Sequence, residues 1–419
     1  MCRLTANSVP FVDSSRCATL GVLRLRWWLR KNPQERGENA LIRTTIAMLL
    51  LGATVASAQT PTKPAFNFKN GTSSSGWIDC KIFEGTGIFF PVKINGHATI
   101  ADLYGGPSGV DEAIAAPLGL FRGESQGKAR HMNIELGDLT VQGFGAADSE
   151  FAWPSQIVGQ PVPLLLGKEI FKQFTVEIDF SHKRIAFHDP VAVTRPKGAM
   201  ELPITEVDGE RVVPVSVNGA PPALFEFELG NVSGPMLVTP LYAKEHKLLD
   251  GVKTSQRLSG KFTETVVSVP HLTFAGVETP AAPIALIPDS EVPPPSIAGG
   301  MGLPLIERFD VVIDYPHNRI YATPHKDAGS AAYPKDRLGL VVRAQKEGAG
   351  FTVAFVSPGS PAADAGFKVG DKIASINGLT AKGMPLQEMV MLRFANAGKA
   401  FSFVMGEGGE RKIVAADFF

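Results

Sequence analysis

Pro91-Val92-Lys93-Ile94-Asn95-Gly96 returns as Pro214-Val215-Ser216-Val217-Asn218-Gly219. Leu166-Gly167-Lys168-Glu169-Ile170-Phe171-Lys172-Gln173-Phe174 returns as Met301-Gly302-Leu303-Pro304-Leu305-Ile306-Glu307-Arg308-Phe309. The first block is displaced by 123 positions (91 to 214, 96 to 219) and the second by 135 (174 to 309, 184 to 319). A displacement that is constant within a block and grows between blocks marks a duplicated unit with loop insertions. Phe174-Thr175-Val176-Glu177-Ile178-Asp179 and Phe309-Asp310-Val311-Val312-Ile313-Asp314 alternate apolar and polar residues, as half-buried strands do. Each turns, at Ser181–Arg184 or Pro316–Arg319, into a second strand at Ile185 or Ile320, giving a hairpin. Asp179 and Asp314, with His182 and His317, hold matched turn positions and read as turn-shaping rather than catalytic or metal-binding.

The chain has 419 residues, with 41 Lys+Arg against 41 Asp+Glu and a formal net charge of zero. No basic excess points to nucleic acid or to a membrane surface. The 44% apolar content suits buried cores, and 43 Gly with 32 Pro suit many short strands. No His-Glu-x-x-His, Cys-x-x-Cys, Gly-Lys-Ser/Thr loop or Gly-x-Ser-x-Gly elbow occurs, so neither a metal nor a cofactor is expected.

Ile46–Val55 is a short apolar run after Arg43, and Ala56-Ser57-Ala58 follows as a cleavage site. Residues 1–58 therefore read as a signal region, cleaved after Ala58, on a protein that is periplasmic or secreted. The run is too short to span a bilayer, so no stable membrane insertion is expected after cleavage. The first forty residues are too long and too charged for an ordinary signal, and the translation start reads as assigned too far upstream. Export removes Cys2 and Cys17 and leaves Cys80 without an intramolecular partner, read as buried or inert. Residues 59–76 read as a flexible lead-in, 77–193 as the first lobe, 199–325 as the second and 335–419 as a C-terminal domain. The sequence carries no signal for oligomeric state.

Over residues 85–324 the two copies resemble the lobes of bacterial aspartic-protease-like proteins, two tandem β-barrel lobes in a mainly β chain. The resemblance rests on Pro214–Gly219, on Leu224-Phe225-Glu226-Phe227, on Asn231–Leu237 and on Ile297-Ala298-Gly299-Gly300-Met301-Gly302. In that family each lobe supplies one Asp-Thr/Ser-Gly, and the two carboxylates share a proton to activate water. Here Glu228-Leu229-Gly230 stands in the second lobe. In the first, Leu103-Tyr104-Gly105 stands with Leu103 on the aspartate position and Asp102 one residue early. A one-residue shift along a strand turns Asp102 to the opposite face unless a bulge intervenes. Both motifs are degenerate, and loss of the paired carboxylates would remove proton sharing and with it most of the rate.

From Leu338 onward the chain resembles a PDZ domain, on Val356-Ser357-Pro358-Gly359-Ser360-Pro361-Ala362-Ala363-Asp364-Ala365-Gly366, Gly370-Asp371-Lys372-Ile373 and Ile376-Asn377-Gly378. Ser360-Pro361 reads as a helix start, a capping hydroxyl followed by proline at the first helical position. The resemblance implies strand addition of an extended peptide, its carboxylate held by the amides of the loop Arg337-Leu338-Gly339-Leu340 and its side chains lying between Leu340-Val341 and a helix over Leu386–Leu392. Peptides or protein C-termini are thus the expected partners. The leading expectation is an exported protein with an impaired protease fold that binds peptides or protein C-termini through its PDZ domain and its inter-lobe cleft. Two alternatives stand beside it: an active endopeptidase using Asp102 and Glu228, and a scaffold whose cleft binds nothing.

Overall fold

The computed structural model describes residues 65–83, 87–121, 129–230, 234–259, 262–345 and 348–419. The predicted signal region and its cleavage site lie outside the described residues. Among the described residues, no helix is long and apolar enough to cross a membrane.

Strands Thr175–Asp179 and Phe309–Asp314 pair antiparallel at the centre of a six-stranded sheet. Val176 pairs with Ile313, Glu177 with Val312 and Ile178 with Val311. Val176, Glu177 and Ile178 are the repeat counterparts of Val311, Val312 and Ile313. The register is therefore the one produced by a two-fold axis between Glu177 and Val312. The flanking strands obey the same axis. Arg184–His188 and Arg319–Pro324 lie outside the central pair, and Ile78–Asp79 and Met200–Pro203 close the two edges. The alternation seen in the sequence buries Val176, Ile178, Val311 and Ile313 in one apolar core that runs through both halves.

Asp179 and Asp314 end these strands as turn-shaping residues. Asp179 accepts hydrogen bonds from the His182 N–H at 2.9 Å and Arg184 Nε at 2.7 Å. Asp314 accepts from Arg319 Nε at 2.8 Å and the Thr175 hydroxyl at 3.1 Å, and His317 Nδ1 lies 2.8 Å away. Burial pushes the Asp179 carboxyl up, but its bonds to His182 and Arg184 outweigh this and hold it below the ordinary value.

Each half also repeats a second pattern. His97–Leu103 runs parallel to Leu164–Leu166, and Ala223–Phe227 runs parallel to Gly299–Met301. Gly109–Val110 and Met236–Val238 then lie antiparallel to those partners. The segment read as a flexible lead-in is partly ordered. Ala65–Phe68 pairs with Leu139–Gln142 at a sheet edge, and the Phe66 ring sits 5.0 Å from that of Phe174. Two phenylalanines at alternate positions supply the apolar area that orders this strand. Cys80 is buried, and burial, reinforced by Asp79 and Asp179, pushes its thiol up to about 12, which leaves it chemically inert at neutral pH.

The C-terminal unit is a five-stranded antiparallel sheet in the order Leu340–Ala344, Phe351–Val356, Lys372–Ile376, Ala400–Met405 and Glu410–Val414. It has its own core around Leu338, Phe351 and Phe403. The predicted helix start is present, with the Ala363 N–H donating to Ser360 Oγ at 3.3 Å and proline following the cap. The unit rests on the second lobe, where Ser255 Oγ and Ser357 Oγ meet at 3.0 Å. It also touches the first lobe, whose helix Trp153–Val158 lies against helix Leu386–Met391.

Candidate functional site

The hairpin ahead of each altered loop sets the register of that loop. In the first lobe Val92 pairs with Thr99 across the Asn95-Gly96 turn. In the second, Val215 pairs with Ala223 across a connection one residue longer. The displacement between copies thus rises from 123 (Val92 to Val215) to 124 (Thr99 to Ala223). Beyond the turn, Leu103 pairs with Leu166 as Phe227 pairs with Met301. The Tyr104 N–H donates to the Leu166 carbonyl at 2.9 Å, and the Glu228 N–H donates to the Met301 carbonyl at 3.2 Å.

The counterpart of Glu228 is therefore Tyr104. The sequence alignment placed Leu103 there, one residue out, because it did not absorb the longer turn. Leu103 is a core residue like its counterpart Phe227. Gly105, expected to hold the glycine of the motif, corresponds to Leu229. After the loops, Gly109 pairs with Leu165 and Leu237 with Gly300, a displacement of 128. The second loop, which contains Glu228, Leu229 and Gly230, is thus four residues longer than the first.

The first loop crosses closely over the strand behind it. The Lys168 N–H donates to the Gly106 carbonyl at 2.6 Å, and the Gly167 N–H donates to Ser108 Oγ at 2.8 Å. A Cβ at Gly167 would stand 2.1 Å from the Gly106 carbonyl oxygen. The second lobe makes the matching crossing, with the Gly302 N–H donating to the Pro235 carbonyl at 2.9 Å.

Asp102 and Glu228 are both buried, at 1% and 0% exposure. Asp102 is the counterpart of Glu226, two residues before the Tyr104 position, and so shares the strand face of Tyr104 rather than the opposite one. Its Oδ1 accepts from the Ile88 N–H at 3.2 Å. Burial raises its pKa well above the usual carboxylate range, against the opposing pull of that hydrogen bond. The folded protein therefore keeps this proton at pH values where the unfolded chain has released it. Stability from the bound proton is complete below the unfolded value of 3.8 and is lost as pH rises through the folded value. Asp102→Asn keeps an acceptor for Ile88 and removes the titration. Its melting temperature should match the parent near pH 4 and exceed it by a few degrees at pH 7. Parallel melting curves across that range would show that Asp102 does not carry the proton.

In the C-terminal unit Leu340–Ala344 is an edge strand, paired among the described residues only with Phe351–Val356. Leu338 and Leu340 are buried in the domain core, and Val341 is half-buried. Gly339 lies at φ +64°, and a Cβ there would stand 2.2 Å from Ser360 Cβ. A family model described as PDZ domain matches residues 330–397.

The C-terminal unit is a PDZ domain.

Two of the amides expected to be open in its ligand loop, those of Leu338 and Gly339, are occupied. Asp336 Oδ1 accepts from the Leu338 N–H at 3.0 Å and from the Gly339 N–H at 2.7 Å. Burial lifts the Asp336 carboxyl above the ordinary aspartate value, opposed by Arg393, the two amides and Arg257. The sequence reading missed this cap, although an aspartate two residues before Leu338 and three before Gly339 is the spacing at which its side chain reaches those amides. No curated protein matches the chain. Among solved structures it is similar to an aspartic proteinase from Irpex lacteus, at 10% identity and a TM-score of 0.40, covering 62% of this chain and 99% of that one. Among the described residues no cluster of three or more His, Cys, Asp or Glu could hold a metal ion.

Proposed function

We propose that this is an exported, peptide-binding protein in which two aspartic-protease-like lobes have lost their paired carboxylates and the PDZ domain supplies the binding edge. One observation carries the loss of chemistry: the two-fold-related loop positions hold Tyr104 and Glu228. Water activation between lobes needs two carboxylates that share one proton. A phenol, with an ordinary pKa of about 10, cannot serve as the base at the acidic pH where such a pair works. Asp102 does not replace it. It lies two residues back, roughly 6.5 Å along an extended strand, and its carboxyl is already bonded to Ile88. The apolar run and Ala56-Ser57-Ala58 motivate export to the periplasm or beyond.

Binding is assigned to the edge of Leu340–Ala344, where no further strand pairs among the described residues, with helix Leu386–Met391 as the expected far wall of the groove. Amide hydrogen exchange of the full chain, with and without a decapeptide pool carrying apolar residues at alternate positions, tests this. Slowed exchange confined to residues 340–344 and the facing helix is expected. Unchanged exchange at saturating peptide would leave only a scaffold.

A further inference from the structure

We infer that the PDZ groove takes internal segments of extended chain as readily as free C-termini. The inference rests on the peptide-binding reading above and concerns the ligand class of the same edge. A terminal carboxylate is held in such a loop by backbone N–H groups that have no other acceptor. Here the Leu338 and Gly339 N–H groups both donate to Asp336 Oδ1, at 3.0 and 2.7 Å. A ligand carboxylate would have to displace a carboxylate already covalently tethered beside those amides, and would face its charge while doing so.

The surrounding charges offer no compensation. Arg393 of the PDZ domain faces Asp336, and Arg257 of the second lobe lies near both. Arg257 is itself engaged, with Nε and Nη2 donating to Glu264 Oε2 at 3.0 and 2.9 Å. Two guanidinium groups thus stand with two carboxylates, and the group is neutral before any ligand arrives. A third carboxylate would make it net negative in a partly buried place, where such an imbalance is poorly screened. The hairpin that carries Arg257 and Glu264, strands Thr254–Ser259 and Phe262–Val269, also sits beside the loop end, with the Gln256 N–H donating to Ser357 Oγ at 3.3 Å. An internal segment brings neutral peptide groups to the Leu340–Ala344 edge and requires none of the capped amides.

Two fluorescein-labelled decapeptide pools of identical random composition, one ending in a free carboxylate and the other in a carboxamide, can be titrated against the full chain by anisotropy. Affinities within about two-fold of each other are expected for the native protein. Asp336→Ala uncaps the two amides and should then favour the carboxylate pool by about ten-fold or more. A native preference of about ten-fold for the carboxylate pool overturns the inference while leaving peptide binding intact. So does an Asp336→Ala protein that binds both pools equally, because the cap would then not decide the ligand class. Binding of neither pool by the native chain overturns the peptide-binding reading itself, and the inference with it. The native comparison needs no variant, so a misfolded Asp336→Ala protein would leave the test standing.

Discussion

Gly167→Ala is expected to cost about 3 kcal/mol of stability, read as a melting temperature roughly 6–12 °C lower. The added methyl would stand 2.1 Å from the Gly106 carbonyl oxygen, 2.7 Å from the Pro107 carbonyl carbon and 2.7 Å from the Ser108 nitrogen. All three are backbone atoms, so no side-chain rotation relieves the overlap. They also belong to the loop whose crossing is fixed by the Lys168 and Gly167 hydrogen bonds, so relief must break those bonds. Gly159→Ala provides the control. Gly159 sits at φ +73° with nothing within 4 Å of an added Cβ, so only backbone strain of about 1–2 kcal/mol applies. Equal losses in the two variants would refute the close crossing of loop and strand.

Asp314→Ala is expected to cost about 2–3 kcal/mol, more than Asp179→Ala. The two residues are repeat counterparts, and each bonds one arginine and one histidine. They differ in burial. The Asp314 side chain is 0% exposed and also receives the Thr175 hydroxyl from the other lobe, whereas the Asp179 side chain is 11% exposed. Removing Asp314 strands the buried Thr175 hydroxyl, a loss with no counterpart at Asp179, while water reaches the Arg319 and Arg184 partners alike, at 29% and 34% exposure. Chemical denaturation of both variants measures the difference, and equal losses would contradict the burial argument.

The duplication was legible in the sequence because its anchors are glycines, phenylalanines and alternating strands that the fold needs twice. The constant displacement within each block then fixed the halves, and the register of Thr175–Asp179 against Phe309–Asp314 expresses the same repeat in space. What failed was the count through the loops. A one-residue difference in a hairpin turn changes no hydrophobic pattern, yet it moves Tyr104 rather than Leu103 onto the Glu228 position. The ordered strand Ala65–Phe68 was hidden by neighbouring Thr, Pro and Ser residues, and two phenylalanines outweigh them once Phe174 is beside them. The PDZ motifs read correctly because turn glycines and a helix cap are local signals. The Asp336 cap is local too, but its consequence depends on Arg393, Arg257 and Glu264, which are brought together only by tertiary packing.

Tyr104 at the position related to Glu228 leaves the two loops without a carboxylate pair. The most direct test is cleavage of a quenched fluorescent peptide pool by the full chain and by Glu228→Gln between pH 3 and 6. No turnover above background in either protein is predicted, because Tyr104 and not a second carboxylate holds the position related to Glu228. Cleavage near pH 4 that disappears in Glu228→Gln would contradict the account and restore an active protease.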